Sequence, residues 1–269
     1  MLEPGRSNVL DKMRAGETVN CCKLNLSCSR AIEIAAIAGF DCAWICAEHV
    51  PTDYSEMEKQ VLAAKAYGMD IVVRVPRGSY SDLVRPLEMD ASGIMIPHVM
   101  NVEDARRIVW QTRFHPIGRR PADGGNADGM FCKLPFTEYI KFVNENRFVI
   151  VQIEDPEPLD ELDEICSVGG IDMIFFGPGD FSQGIGFPGQ MNHPEINKAR
   201  VRIAETARKY GKFAGTICGT ANFHEYKAMG YQFLNVAADV IGLGNYFSNI
   251  IAEIANSPDA KAGGIYAGK

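Results

Sequence analysis

The chain has eight cysteines, at 21, 22, 28, 42, 46, 132, 166 and 218, but none forms a CxxC pair. Without that spacing there is no paired-knuckle site for structural zinc. Most of the thiols lie in apolar runs, so they read as buried and reduced, as in a reducing compartment. No apolar run reaches the roughly 18 residues needed to span a bilayer. The N-terminal stretch MLEPGRSNVLDKMRAGE lacks the apolar centre of a secretory signal. Excess positive charge is missing as well: 27 Lys and Arg face 34 Asp and Glu, a net charge of −7. Nucleic acids and anionic membranes call for clustered cations, so neither is expected as a partner. No GxGxxG follows the first strand-like run, which removes the dinucleotide-binding fingerprint. A cytoplasmic protein is the reading that remains.

What is present is ordinary globular material, 46% hydrophobic and 23% charged. No internal repeat, low-complexity tract or linker divides the chain, so residues 1–269 read as one domain. Short β-rich runs alternate with helix-period segments. The expected strands are Val19–Leu26, Cys42–Ala47, Asp70–Val75, Gly93–Pro97, Phe148–Glu154, Met173–Gly177, Phe213–Ile217 and Phe233–Val236. Between them lie helical patterns over Ser29–Ala38, Tyr54–Tyr67, Val102–Thr112, Pro158–Val168, His193–Tyr210, Ala221–Met229 and Gly242–Ala255. Runs such as IVV, IMI, FVIV and MIFF are apolar throughout, as strands buried on both faces should be. This alternation predicts an α/β fold of the (β/α)8 TIM-barrel type, with an open doubly wound sheet as the alternative. Two long segments, Phe114–Leu134 and Pro178–Asn192, exceed ordinary connections and are expected over one mouth of the barrel.

In such a barrel the reacting groups sit at the C-terminal ends of strands. Five consecutive expected strands end in polar groups: Glu48-His49, Arg74, Pro97-His98, Gln152 to Asp155, and Gly177 to Asp180. Glu154 and Asp180 are the metal candidates. Two carboxylates without a thiol or imidazole favour Mg2+ or Mn2+, with Co2+ as a further candidate. Such an open site suits a Lewis acid acting on a carbonyl. Two unrelated edge carboxylates are the bland reading. Arg74 can clamp a carboxylate or phosphate, or else close the mouth in an ion pair with Glu48 or Glu154. The amides flanking Pro178, at Gly177 and Gly179, either face an anion or form a plain turn. His49 is a general-base candidate, or a structural hydrogen-bonder.

These residues together resemble the HpcH/HpaI family of class II pyruvate aldolases, which includes 2-keto-3-deoxy-sugar-acid aldolases and 2,4-dihydroxyhept-2-ene-1,7-dioate aldolase. The stretches that carry the likeness are AGFDCAWICAEHVP, VVRVP, IMIPHVMNVEDARRIV, VQIED and GIDMIFFGPGDFSQGIG, followed by GKFAGTI and GYQFLNVAADV. The resemblance implies a barrel of the phosphoenolpyruvate/pyruvate-binding type, with the last helix exchanged between subunits of a trimer or hexamer. It implies a divalent metal on Glu154 and Asp180, which pyruvate chelates. Arg74 would stabilise the developing enolate oxygen, and His49 would act as acid/base through water. Gln152, Gly177, Gly179 and Asp180 would line the pyruvate site. The implied reaction is retro-aldol cleavage of a 4-hydroxy-2-oxo acid to pyruvate and an aldehyde.

The chain departs from the family pattern at Cys46, where members usually carry an aspartate that orients the histidine. A thiol is a poor acceptor, so His49 is expected to find another carboxylate, with Asp90 as a candidate across an interface, or to work unaided. A different reaction on the same platform and a nucleophilic Cys46 are the other readings. Arg119 and Arg120, in GRRPADGG, are expected either to receive a second anionic substrate group or to make subunit contacts. His98 is a further polar candidate on the aldehyde side. Two other functions compete with the aldolase: an acyl-CoA lyase or Claisen-type synthase, and a non-catalytic binder of 2-oxo acids.

Overall fold

The computed structural model describes residues 5–256; the ends of the expected domain, residues 1–4 and 257–269, lie outside the described residues. Eight parallel strands close into a barrel in sequence order. They are β1 (Val19–Leu24), β2 (Cys42–Cys46), β3 (Asp70–Arg74), β4 (Gly93–Ile96), β5 (Phe148–Ile153), β6 (Met173–Phe176), β7 (Phe213–Ile217) and β8 (Phe233–Ala238). The helices are α1 (Asn8–Arg14), α2 (Ser29–Ile37), α3 (Tyr54–Ala66), α4 (Tyr80–Glu88), α5 (Val102–Thr112), α6 (Phe136–Asn146), α7 (Leu162–Ser167), α8 (Pro178–Gly184), α9 (Pro194–Lys209), α10 (Phe223–Met229) and α11 (Asp239–Asn256).

The expected barrel is therefore found, and the strand residues divide it into two cores by period-two alternation. Val19, Cys21, Cys42, Trp44, Val72, Met95, Phe148, Ile150, Met173, Phe175 and Phe233 pack inside. The edge contact of Trp44 with Phe175, at 5.5 Å between ring centroids, joins β2 to β6 through the interior. The alternate residues, such as Ile45, Val73, Ile94, Val151 and Ile174, face the helices in a second cluster. α1 seals the interior core with Val9, Leu10 and Met13. It is pinned there by Asp70, which accepts from Ser7 Oγ (2.6 Å) and Val9 N (2.8 Å).

Sequence periodicity overlooks α1, α4, α6 and α8. The first and last have only seven residues each, and α4 carries Pro86 inside it. The expected helix Pro158–Val168 divides into a 3-10 turn, Glu157–Glu161, and the short α7. Pro156 and Pro158 lack N–H groups, which favours the tight entrance.

The expected position of Phe114–Leu134 over the mouth is corrected. After α5 the chain has reached the opposite end of the barrel. There Arg113 donates to Gly170 O (2.8 Å) and Arg147 O (2.6 Å) and pairs with Asp172, all beside strand starts. Arg119 stays near this end: its N–H bonds Trp110 O at 2.7 Å and its guanidinium covers the exposed Trp110 ring. Arg120 folds inward onto Phe114 and pairs with Asp128 at 2.7 Å; neither side chain has any exposure. Tyr139 OH also donates to Asp128, at 3.0 Å. Neither arginine reaches the mouth of its own barrel.

Replacing Arg120 by Met would leave Asp128 charged in the dark. Urea unfolding should show a loss of about 3 kcal/mol, the usual cost of breaking a buried pair from one side. An unchanged midpoint would show that the pair contributes nothing to the fold.

Candidate active site

The candidate site forms where the interior row of side chains changes from apolar to polar. Parallel register fixes which residues share that row. Trp44 pairs with Lys23 on β1 and Val72 on β3, and Cys46 pairs with Arg74. Trp44 and Val72 point inward, so Lys23, Cys46 and Arg74 do too. On β5, Gln152 is in register with the inward Phe175 of β6. Glu154 follows two residues later, just past the strand.

Arg74 is the centre of one half of the site. Its side chain is 5% exposed and forms an ion pair through Nε with Glu48 at 3.0 Å. Nε and Nη2 also point at Cys46 Sγ, at 3.3 and 3.2 Å, and Cys46 Sγ accepts a third contact from His49 N at 3.4 Å. The guanidinium lies 5.1 Å from the centroid of the Trp44 ring. Of the two expected roles, the ion pair with Glu48 is formed, and the guanidinium stays at the mouth. His49 is more exposed, with Nε2 3.5 Å from Glu48. Its nearby carboxylate is its sequence neighbour.

Glu154 is the centre of the other half. It is 1% exposed, and its Oε1 accepts His98 N at 2.9 Å while Gln152 Nε2 donates to Oε2. Burial pushes its carboxyl up to about 7; the Asp180 charge adds to the rise, against lowering by His98 and Arg74. His98 takes a left-handed backbone conformation, which turns its N–H towards Glu154. Its Nδ1 lies 2.8 Å from Asp155, and its Nε2 is 3.8 Å from Glu154 and 3.9 Å from Glu48. Burial by itself would lower the His98 pKa; the Asp155 hydrogen bond and the charges of Glu154, Asp155 and Glu48 together raise it. The imidazole with a close carboxylate partner is therefore that of His98.

Residues 22–245 match the HpcH/HpaI aldolase/citrate lyase family. The chain belongs to this family. It is 34% identical over 209 residues to a 5-keto-4-deoxy-D-glucarate aldolase of Enterobacter sp. (strain 638), covering 77% of this chain and 81% of that one. It is 32% identical over 232 residues to a 2-keto-3-deoxy-L-rhamnonate aldolase of Escherichia coli O17:K52:H18, covering 86% of each. The crystal structure of an HpcH/HpaI aldolase from Desulfitobacterium hafniense DCB-2 superposes with a TM-score of 0.88 at 28% identity, over 93% of this chain and 97% of that chain. The named relatives are aldolases, that is, carbon–carbon lyases, and the TIM-barrel and family readings of the sequence hold.

Family membership implies a divalent metal, and the donors present fit one. Among the described residues no three His, Cys, Asp or Glu side chains cluster as a ready-made cage. What the site offers is a buried carboxylate, Glu154, a half-buried one, Asp180, and the buried, unpartnered Oε1 of Gln152. An all-oxygen set of this kind suits a hard cation that keeps water and substrate oxygens in its other positions.

Gly177 belongs to the site for a reason other than the one expected. Its N–H is spent on Ile153 O at 3.0 Å, so it cannot hold a carboxylate. Only amides from Gly179 onward remain for that role. Gly177 instead makes room: a Cβ there would stand 2.6 Å from Glu154 Oε2 and 2.8 Å from Gln152 Nε2. Asp90 is also corrected. It is buried just before β4, at the closed end, where Lys65 and Arg147 both pair with it. Its charge is already matched, and it is remote from the His49 of its own chain.

Sequence reasoning passed over Lys23 and the partnership of Asp155 with His98. Lys23 was visible as the inward position above Cys21 in VNCCKL. The Asp155 contact joins residues 57 positions apart and has no local signal.

Gly177→Ala should weaken Mg2+ or Mn2+ binding by about 10-fold or more, as displaced supporting contacts do in metal sites. Calorimetric titration checks this, with circular dichroism to show an intact barrel. Undiminished affinity would remove Glu154 or its position from the metal site.

Proposed function

We propose that the protein cleaves a 4-hydroxy-2-oxo acid to pyruvate and an aldehyde. The observation that carries this reading is the guanidinium of Arg74 and the carboxyl group of Glu154, both nearly enclosed at the barrel mouth. Glu154 and Asp180 would hold Mg2+ or Mn2+, or Co2+. Such a cation, when bound, polarises the keto oxygen of the 2-oxo acid. Arg74 stabilises the negative charge that grows on that oxygen as the carbon–carbon bond breaks. It is preorganised for this by Glu48, Cys46 and Trp44, so little reorientation is needed during reaction. Gln152 keeps the Glu154 carboxylate in place. His49, exposed beside Glu48, exchanges the proton of the 4-hydroxyl through water. His98, oriented by Asp155, lines the same mouth and keeps Glu154 directed inward. Cys46 has its sulfur occupied by three N–H groups and has no nucleophilic part in this scheme.

Hydrogen exchange at the pyruvate methyl group in D2O, followed by NMR, tests the reading without knowledge of the aldehyde. Exchange should occur with Mg2+, Mn2+ or Co2+ and stop with EDTA. Arg74→Ala should slow it by about 100-fold or more, the usual loss for a missing oxyanion donor. Absence of exchange with every metal, despite pyruvate binding, would overturn the aldolase and favour a binder of 2-oxo acids.

The same reading includes a cytoplasmic homo-oligomer, built from one barrel domain over 1–269, in which α11 is exchanged between subunits. No helix among the described residues is long and apolar enough to cross a membrane. Yet α11 exposes Ile241, Tyr246, Phe247, Ile251 and Ile254. A cavity of about 420 Å³ lies between the end of α2 and α10, floored by Asn20 and Val236 of β1 and β8. That is the slot a final barrel helix would cover, and a second copy's α11 has the apolar face to cover it. Phe247→Asp combined with Ile251→Asp should reduce the mass measured by light scattering to that of a smaller species. An unaltered mass would overturn the exchange.

A further inference from the structure

Lys23 is an inward-facing cation at the mouth that forms no ion pair with an acid among the described residues. Arg74 has Glu48, His98 has Asp155, and His49 has Glu48 within reach. The Lys23 ammonium makes no ion pair or hydrogen bond with any described residue. Its contact is with an aromatic face: Nζ lies 5.1 Å from the centroid of Trp44, the same ring that Arg74 covers at the same distance. Burial and the charge of Arg74 lower its pKa, against weaker raising by Cys46, Glu48 and Asp180. An ammonium half-withdrawn from water and short of counter-charge is costly unless a ligand supplies the missing anion.

Its place in the barrel says which part of a ligand that is. In the closed eight-strand order, β1 lies across the barrel from β5, which carries Gln152 and leads to Glu154. A molecule with its reacting oxygens at Glu154, Asp180 and Arg74 would meet Lys23 with any second group that turns towards β1, since Lys23 shares the Trp44 ring with Arg74. On the neighbouring strand β8, in register with Cys21 two residues before Lys23, the buried Asn235 has an unpartnered Oδ1, and its pairing with the inward Cys21 turns it to the same interior. This corner offers a positive charge and a free acceptor, a match for a carboxylate carrying or flanked by a hydroxyl group.

We propose that Lys23 is a specificity-determining residue that binds a second carboxylate, carried on the half of the substrate released as the aldehyde. The inference deepens the aldolase reading and rests on it for the identity of the other end. The favoured substrates are then 4-hydroxy-2-oxo dicarboxylates, and the favoured aldehydes are anionic.

The test uses the full chain with Mg2+ present. Trp110→Phe leaves Trp44 as the sole indole, directly beneath Lys23. Its emission is titrated with glutarate and with valerate, which match in length and differ by one carboxylate. Glutarate should bind more tightly. Lys23→Met, which keeps the stem on the indole, should weaken glutarate by about 30-fold and leave valerate alone, whereas Lys23→Arg should retain most of the preference. Equal binding of the two acids, or glutarate affinity unmoved by Lys23→Met, overturns the proposal. Pyruvate methyl exchange on the same proteins separates the two readings. A borohydride-trapped pyruvate adduct on Lys23 would make Lys23 part of the chemistry and overturn its role as an anion receptor. Absence of exchange in the unsubstituted protein would sink the aldolase, and the glutarate result would still decide Lys23.

Discussion

Everything in this site depends on alternation within a closed barrel. Each strand sends every second side chain inward, and the deep positions are filled by Val, Cys, Met and aromatic residues. The next inward positions are Lys23, Cys46, Arg74 and Gln152, with Glu154 just above them. The apolar floor of Trp44 and Phe175 keeps water from below. Charges on such a floor interact more strongly than they would in bulk water. A dry foundation thus gives Arg74 and Glu154 their leverage, and it also makes their partners obligatory.

The treatment of Arg74 shows this constraint at work. A guanidinium at 5% exposure cannot go without counter-charge, and position 46 supplies only a thiol. Glu48, two residues further along the same turn, provides the carboxylate. The sulfur keeps its geometric place among the guanidinium N–H groups and the His49 amide. His98 solves the corresponding problem with Asp155, a residue just past the end of the next strand. The mouth thus holds a paired cation and an imidazole with a close carboxylate.

Much of the architecture was legible because strands buried on both faces leave an unmistakable mark. IVV, IMI, FVIV and MIFF have no polar residue to place outside. Their ends were legible for the same reason, since polarity returns where the ladder meets the mouth. Short helices left weaker marks: α1 seals the interior with three apolar residues, and α4 is interrupted by Pro86. The Gly-rich segment after α5 misled on position. Its composition suggested a loop over the mouth, whereas a contact with Asp128 and Tyr139 draws Arg120 into a small core of its own.

The sequence by itself determined the barrel and the row of polar strand ends, because each follows from local periodicity along one strand. Only the tertiary structure decided which charges meet. Arg74 with Glu48, His98 with Asp155, Asp90 with Arg147 and the unclaimed Lys23 are all outcomes of strand register and barrel closure. Those bring residues from different strands within a few ångströms, and pairing energies at that range depend on distances that no single strand encodes.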